Sequence, residues 1–360
     1  MSISRRELLQ ALGISMAAGP LVIAAQEPAP ARAQQAPRDT TPLVPPFAPT
    51  GWKTVWLDHL NYQCVDYKKA AAFYVALLGW KVRSDDGKQA LLDIGDNCGG
   101  ILIRGGLATP PPAAITDAGL GVSRPPVRAV FDGFAWGIDP WDTEKVKAEL
   151  EKRGLKPIAA HHGADYKSFR VTDPDGFDVA VTNGTKANRR KGPASAKLSA
   201  PAPFEATGWN TLYLDHISFE VPDYRRSAAF YQALLGWDVR PGNGSQASVQ
   251  IGDIAGGIIR GNAAARAAAR GGDAAAATRP PAPSNGVSAA IGHISFGIEH
   301  WDTERMRADL KKRDVVYVNR EGQREPRPDM TGNLLSFHVP DAMGWDLQIG
   351  NKIGPNRWNE

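Results

Sequence analysis

The chain has 360 residues, of which 42% are hydrophobic and 22% charged, with a formal net charge of +4; this is a soluble globular composition with room for two or three domains. So weak a basic balance makes no case for nucleic acid or an anionic membrane as partner. Two cysteines, Cys64 and Cys98, are too few for a disulfide scaffold or a thiolate zinc cluster.

Residues 1–33 read as an address rather than as structure. Ser4-Arg5-Arg6-Glu7-Leu8-Leu9 precedes an apolar stretch from Ala11 to Ala25 that Gly13, Gly19 and Pro20 interrupt. It is short for a membrane anchor, the alternative reading. The twin arginines resemble a Tat signal, and Ala31-Arg32-Ala33 has the small-x-small pattern that cleavage before Gln34 needs. The resemblance implies export through the Tat machinery into the periplasm or beyond, with no stable membrane span once the signal is removed. A Pro-rich linker, 34–49, follows.

From Thr50 the chain repeats itself. TGWKTVWLDHLNYQCVDYKKAAAFYVALLGW, starting at Thr50, matches TGWNTLYLDHISFEVPDYRRSAAFYQALLGW, starting at Thr207. About half of the aligned positions are identical, far more than shared composition produces. Later halves repeat too: FAWGIDPWDTEKVKAEL from Phe134 matches ISFGIEHWDTERMRADL from Ile294. The boundaries expected are a first module over 50–184, a Lys, Ala and Pro-rich linker over 185–206, a second module over 207–351 and a tail over 352–360.

Each module reads as two sub-units of one plan. Alternation around His216 predicts a strand with Leu214, Ser218 and Glu220 on its polar side. A helix follows, capped by Asp223 and stopped by Gly236, with Phe230, Tyr231, Leu234 and Leu235 at helical spacing. Short strands are expected at Trp237–Arg240, Ala247–Ile251 and Gly257–Arg260. The second sub-unit repeats the order, with a strand at Gly292–Ile298, a helix after Asp302 and a last strand at Asp346–Ile349. Ala263 to Asn285, rich in Ala, Gly, Arg and Pro, reads as a short helix or a mobile flap. Trp52, Trp141, Trp209 and Trp301 recur at equal places in both copies, which favours packing over ligand stacking.

The pattern LDHISFEV, then DYRRSAAFYQALLGW, then a glycine-rich hairpin resembles the vicinal-oxygen-chelate (VOC) superfamily of glyoxalases, bleomycin-resistance proteins and extradiol dioxygenases. The resemblance implies an α+β fold: two tandem VOC modules, each of two βαβββ units forming an open eight-stranded cup. In that fold Cys64 and Cys98 stand at strand ends that lie apart, so they are expected unpaired.

The same resemblance implies a metal site in the second module, with His216, His293 and Gln348 at the ligand positions on the first, fifth and eighth strands. The first module keeps His59 but has Gly133 and Ala180 at the other two. Two imidazoles and a carboxylate would suit Fe(II); here the third position is an amide, and Glu220, of the same strand parity as His216, is the other source of a ligand. The cofactor expected is a divalent metal: Fe, Mn, Zn or Ni. LLSFHVPDAMGWDLQIG resembles the dioxygenase carboxy-terminal signature, with His338 where that family has a tyrosine. Glu220 and His338 are the candidate acid–base residues. Two functions follow: a metal-dependent enzyme acting on a small substrate with adjacent oxygens, or a metal-free small-molecule binder in which the histidines only line the cup.

Overall fold

The computed structural model describes residues 41–96, 98–108, 115–117, 122–161, 165–189, 191, 194–240, 242, 244–261, 288–331 and 333–354. Residues 1–33, which the sequence reads as a signal, residues 34–40 of the Pro-rich linker, Ala263–Asn285 and residues 355–360 of the tail lie outside them.

Both copies open on a long strand whose apolar positions alternate into a core: β1 (Lys53–Cys64). Asp66 caps the next helix, α1 (Tyr67–Leu78), by accepting from the Lys69 N–H, and Gly79 ends it at φ 69°. Three strands follow, β2 (Lys81–Asp85), β3 (Gln89–Asp93) and β4 (Gly100–Arg104). A hairpin of β5 (Ile115–Asp117) and β6 (Val122–Arg124) precedes the second sub-unit, β7 (Ala129–Asp139), α2 (Thr143–Lys152), β8 (Ile158–Ala159), β9 (Ser168–Thr172) and β10 (Asp178–Thr182). These pair in the order β2-β3-β4-β1-β7-β10-β9-β8, one eight-stranded sheet.

After a short helix, α3 (Lys186–Arg189), the second copy repeats the plan. It contains β11 (Thr211–Val221), α4 (Tyr224–Leu235), β12 (Asp238–Arg240), β13 (Gln246–Ile251), β14 (Ala255–Gly261), β15 (Ala290–Ile298) and α5 (Thr303–Lys312). The remaining strands are β16 (Tyr317–Asn319), β17 (Arg324–Glu325), β18 (Arg327–Thr331), β19 (Leu334–Pro340) and β20 (Asp346–Gly350). The second sheet runs β12-β13-β14-β11-β15-β20-β19-β18. The fold is therefore the expected α+β pair of tandem modules, and Asp223, Gly236 and Asp302 cap as the sequence indicates.

Two features depart from the simple repeat. The β16–β17 hairpin is extra to the βαβββ plan, and it pairs with the first module's β5–β6 hairpin in a four-stranded sheet, Val318 opposite Ser123. Short polar strands of this kind carry no period long enough to read. The inter-module linker is also built into the structure: Arg189 of α3 holds buried Asp58, the Ala196 N–H donates to the Val82 carbonyl, and Leu198 and Phe204 pack on the core.

Residues 37–360 form one compact unit, and the contacts between modules come in matched pairs. The Trp80 indole donates to Thr211 Oγ1 at 3.0 Å, and the Trp237 indole to Thr54 Oγ1 at 3.1 Å. Tyr74 donates to Asp341 and Tyr231 to Asp173, at 2.8 and 2.7 Å. Gly79 and Gly236 do more than end their helices, because a Cβ there would stand 2.3 and 2.1 Å from the carbonyl oxygens of Trp209 and Trp52. Cys64 and Cys98 are buried and form no disulfide, and burial pushes both thiols up to about 12.

Candidate metal centre

Polar residues gather on the middle strands of the second sheet. His216 on β11 lies opposite Ser295 on β15, which lies opposite Gln348 on β20, which lies opposite His338 on β19. His293 faces Ser218 across the β11–β15 pair. The structure thus brings together His216, His293, Gln348 and His338, drawn from four neighbouring strands.

A register shift between Leu214 and His216 makes Asp215 a bulge residue. A bulge lets two successive side chains lie on one side of the sheet, which plain alternation forbids. Asp215 Oδ2 accordingly sits 2.6 Å from His216 Nδ1, and both residues are buried. A carboxylate on Nδ1 holds the proton there and turns the Nε2 lone pair towards the partner on the other side of the ring. That Nε2 lies 2.9 Å from His293 Nε2. Burial drives the pKa of His293 well below the ordinary histidine range, and His338, His216, Arg260 and Arg327 add to the effect; the ring is a neutral imidazole, the form that ligates metals.

Gln348 donates from Nε2 to Ser336 Oγ at 2.8 Å, while its Oε1, sealed from water, meets no hydrogen-bond donor. A buried carbonyl oxygen without a donor is costly, and a cation is one group that satisfies it. His338 Nδ1 lies 3.1 Å from Asp346 Oδ2, and Tyr317 donates to the other oxygen of that carboxylate at 2.9 Å. Ligand atoms of His293, His338 and Asp346 all fall within 4.8 Å of one another.

Sequence reading passed over Asp346. The available signal was its parity: two residues before Gln348 on one strand, it shares that residue's face. Glu220 is only partly buried, opposite Arg260, with Oε1 against Gly292; among the described residues neither it nor His216 belongs to the cluster of three, which His293, His338 and Asp346 form.

The first module uses the equivalent positions for ion pairs. The His59 and Asp58 side chains pair at 2.6 Å, but Asp58 also receives Arg189 and Tyr166. Although burial raises the Asp58 carboxyl, His59 and Arg189 together hold it down to about 2. At Gly133 a Cβ would stand 2.3 Å from the Asp178 carbonyl oxygen, so no larger residue fits.

Two eight-stranded sheets of one plan define a tandem VOC-type fold, with one candidate metal centre among the described residues. Residues 56–181 match the model of the Glyoxalase/Bleomycin resistance protein/Dioxygenase superfamily, and the second module repeats the first in sequence and strand order. Its fold is similar to that of the Mn(II)-bound glyoxalase from Novosphingobium aromaticivorans, with TM-score 0.52 and 15% identity over 83% of this chain and 82% of that one. Homoprotocatechuate 2,3-dioxygenase from Arthrobacter globiformis gives TM-score 0.53 and 18% identity over 86% and 83%. A variant of the Brevibacterium fuscum dioxygenase gives 0.52 and 16% over 88% and 74%. A search of curated proteins by sequence finds no match. No helix among the described residues is long and apolar enough to cross a membrane.

Proposed function

We propose that this chain is an exported, metal-dependent enzyme of glyoxalase or dioxygenase type, acting on a small substrate that presents two adjacent oxygens to a divalent metal in the second module. The observation that carries the reading is the approach of His216 Nε2 to His293 Nε2, at 2.9 Å, on the sheet in which buried Gln348 keeps an Oε1 without a donor. Ligands about 2.0–2.1 Å from one ion, at near-right angles, have nitrogens about 3 Å apart. His216, His293 and Gln348 are the residues that would hold the ion. When bound, it supplies Lewis acidity to the substrate's oxygens.

The chain's own groups do the rest. Asp215 keeps the His216 proton on Nδ1, and burial keeps His293 neutral. Glu220, with the strand parity of His216, and His338, anchored on Asp346, are the groups to take up or deliver a substrate proton. Export rests on the twin-arginine segment alone. The likeness to a glyoxalase and to dioxygenases that differ in chemistry leaves the bond made or broken to be found by substrate screening.

Elemental analysis of the purified protein, beside His216→Ala and His293→Ala, tests the reading. Near-stoichiometric metal in the parent, lost in both variants, is the expected result. A parent that takes up no metal on reconstitution would overturn it in favour of a small-molecule binding protein.

A further inference from the structure

We infer that the second module takes a small, aliphatic, polyhydroxylated carboxylic acid, with the substrate's carboxylate on Arg327 and its hydroxyls on Ser295 and Ser218. The inference rests on the metal-dependent reading and names the substrate class of that same site.

Residues opposite one another on neighbouring strands share a face of the sheet. One such row crosses the second module from β11 to β18: His216, Ser295, Gln348, His338 and Arg327. The corresponding row of the first module is His59, Ala135, Ala180, Arg170 and Ile158. Where the first copy has three apolar side chains, the second has a hydroxyl, an amide and a guanidinium. Ser218, two residues from His216 and opposite His293, lies on the same face.

The fold makes no use of these added groups. Ser218 and Ser295 are each 1% exposed, and among the described residues their hydroxyls meet no hydrogen-bond partner; nor does buried Arg327 Nε. Polar atoms in that state are costly unless a ligand satisfies them. Arg327 Nη2 stands 3.8 Å from Asp346 Oδ2, too far for a hydrogen bond, and that carboxylate already has His338 and Tyr317 as partners.

The chemistry of the row selects the ligand. A serine hydroxyl donates or accepts, as a substrate hydroxyl does, whereas a guanidinium only donates and pairs best with a carboxylate. A catechol ring needs apolar or aromatic walls, which this row does not offer. His338, opposite Arg327, keeps its part in moving a proton.

Calorimetry on the full chain, reconstituted with metal, compares binding of threonate, its uncharged counterpart threitol, and catechol. Threonate is expected to bind at least about 10-fold more tightly than either of the others. Arg327→Gln should weaken threonate about 10- to 100-fold, the worth of hydrogen bonds to a charged group, while threitol binding and metal content stay as in the parent. Ser295→Ala should weaken threonate and threitol alike. A parent that holds metal but does not prefer threonate would overturn the inference and leave the metal-dependent reading standing. A parent that takes up no metal would overturn both. The parent's own order of preference decides even if a variant does not fold.

Discussion

Arg170 and His338 occupy the same place in their two sheets: Arg170 lies opposite Ala180 on the eighth strand of the first module, and His338 opposite Gln348 on the eighth strand of the second. Each is bonded to an aspartate two residues earlier on that neighbouring strand, Arg170 to Asp178 at 3.0 Å and His338 to Asp346 at 3.1 Å. One position carries a permanent cation in the first copy and an imidazole, able to ligate, in the second. The carboxylate is common to both; the partner decides whether the pair closes the cup or equips it.

The first module is therefore expected to bind no metal. His59→Ala should leave the metal content of the protein unchanged, because Asp58 keeps Arg189 and Tyr166 and no second imidazole stands at Gly133. Metal analysis of this variant beside His216→Ala checks it; equal loss in both would place a ligand in the first cup.

Asp215→Asn should preserve the fold and weaken metal binding about 10- to 100-fold. The amide keeps the shape but no longer holds the proton on His216 Nδ1 as a carboxylate does. Titration with zinc against a competing chelator measures the effect, and an unaltered affinity would make the pair a packing device.

Stability should fall as pH rises past Asp173. Burial lifts this carboxyl from 3.8 to about 6, in spite of the hydrogen bond from Tyr231. A raised value means that the folded chain holds the proton more tightly than the unfolded one, so the contribution is fully present below about 4 and is lost as pH passes 6. The gap corresponds to about 3 kcal/mol. Asp173→Asn, neutral at every pH, should gain on the parent by up to that amount between pH 4 and 7. Urea midpoints at the two pH values give the difference; parallel behaviour would count against it.

Tyr74→Phe should cost about 1.5–3 kcal/mol, the worth of a hydrogen bond to a carboxylate. Its hydroxyl reaches buried Asp341 across the module boundary, where Tyr62 is the other side-chain donor to the same oxygen. Denaturant unfolding should show one transition at a lower midpoint, since the modules share one core.

The repeat, the strand and helix order, the caps at Asp223 and Asp302 and the asymmetry between His293 and Gly133 were all legible in the chain, because each is written in local spacing or in the comparison of one copy with the other. Asp346 was not. Its part depends on β19 and β20 lying side by side, which brings its carboxylate to His338, and on a hairpin outside the repeat that brings up Tyr317. Nor was the pairing of Asp215 with His216 on one face, since strict alternation separates neighbours and only the bulge unites them.

The sequence by itself determined the module plan and the residues eligible for chemistry, since hydrophobic period, capping and internal homology act over a few residues and survive without contacts. Tertiary structure alone decided which of those residues meet. Strand register set His216 Nε2 2.9 Å from His293 Nε2, and burial made His293 neutral and left Gln348 Oε1 without a donor. Distance and desolvation belong to the packed sheet, and no stretch of chain carries them alone.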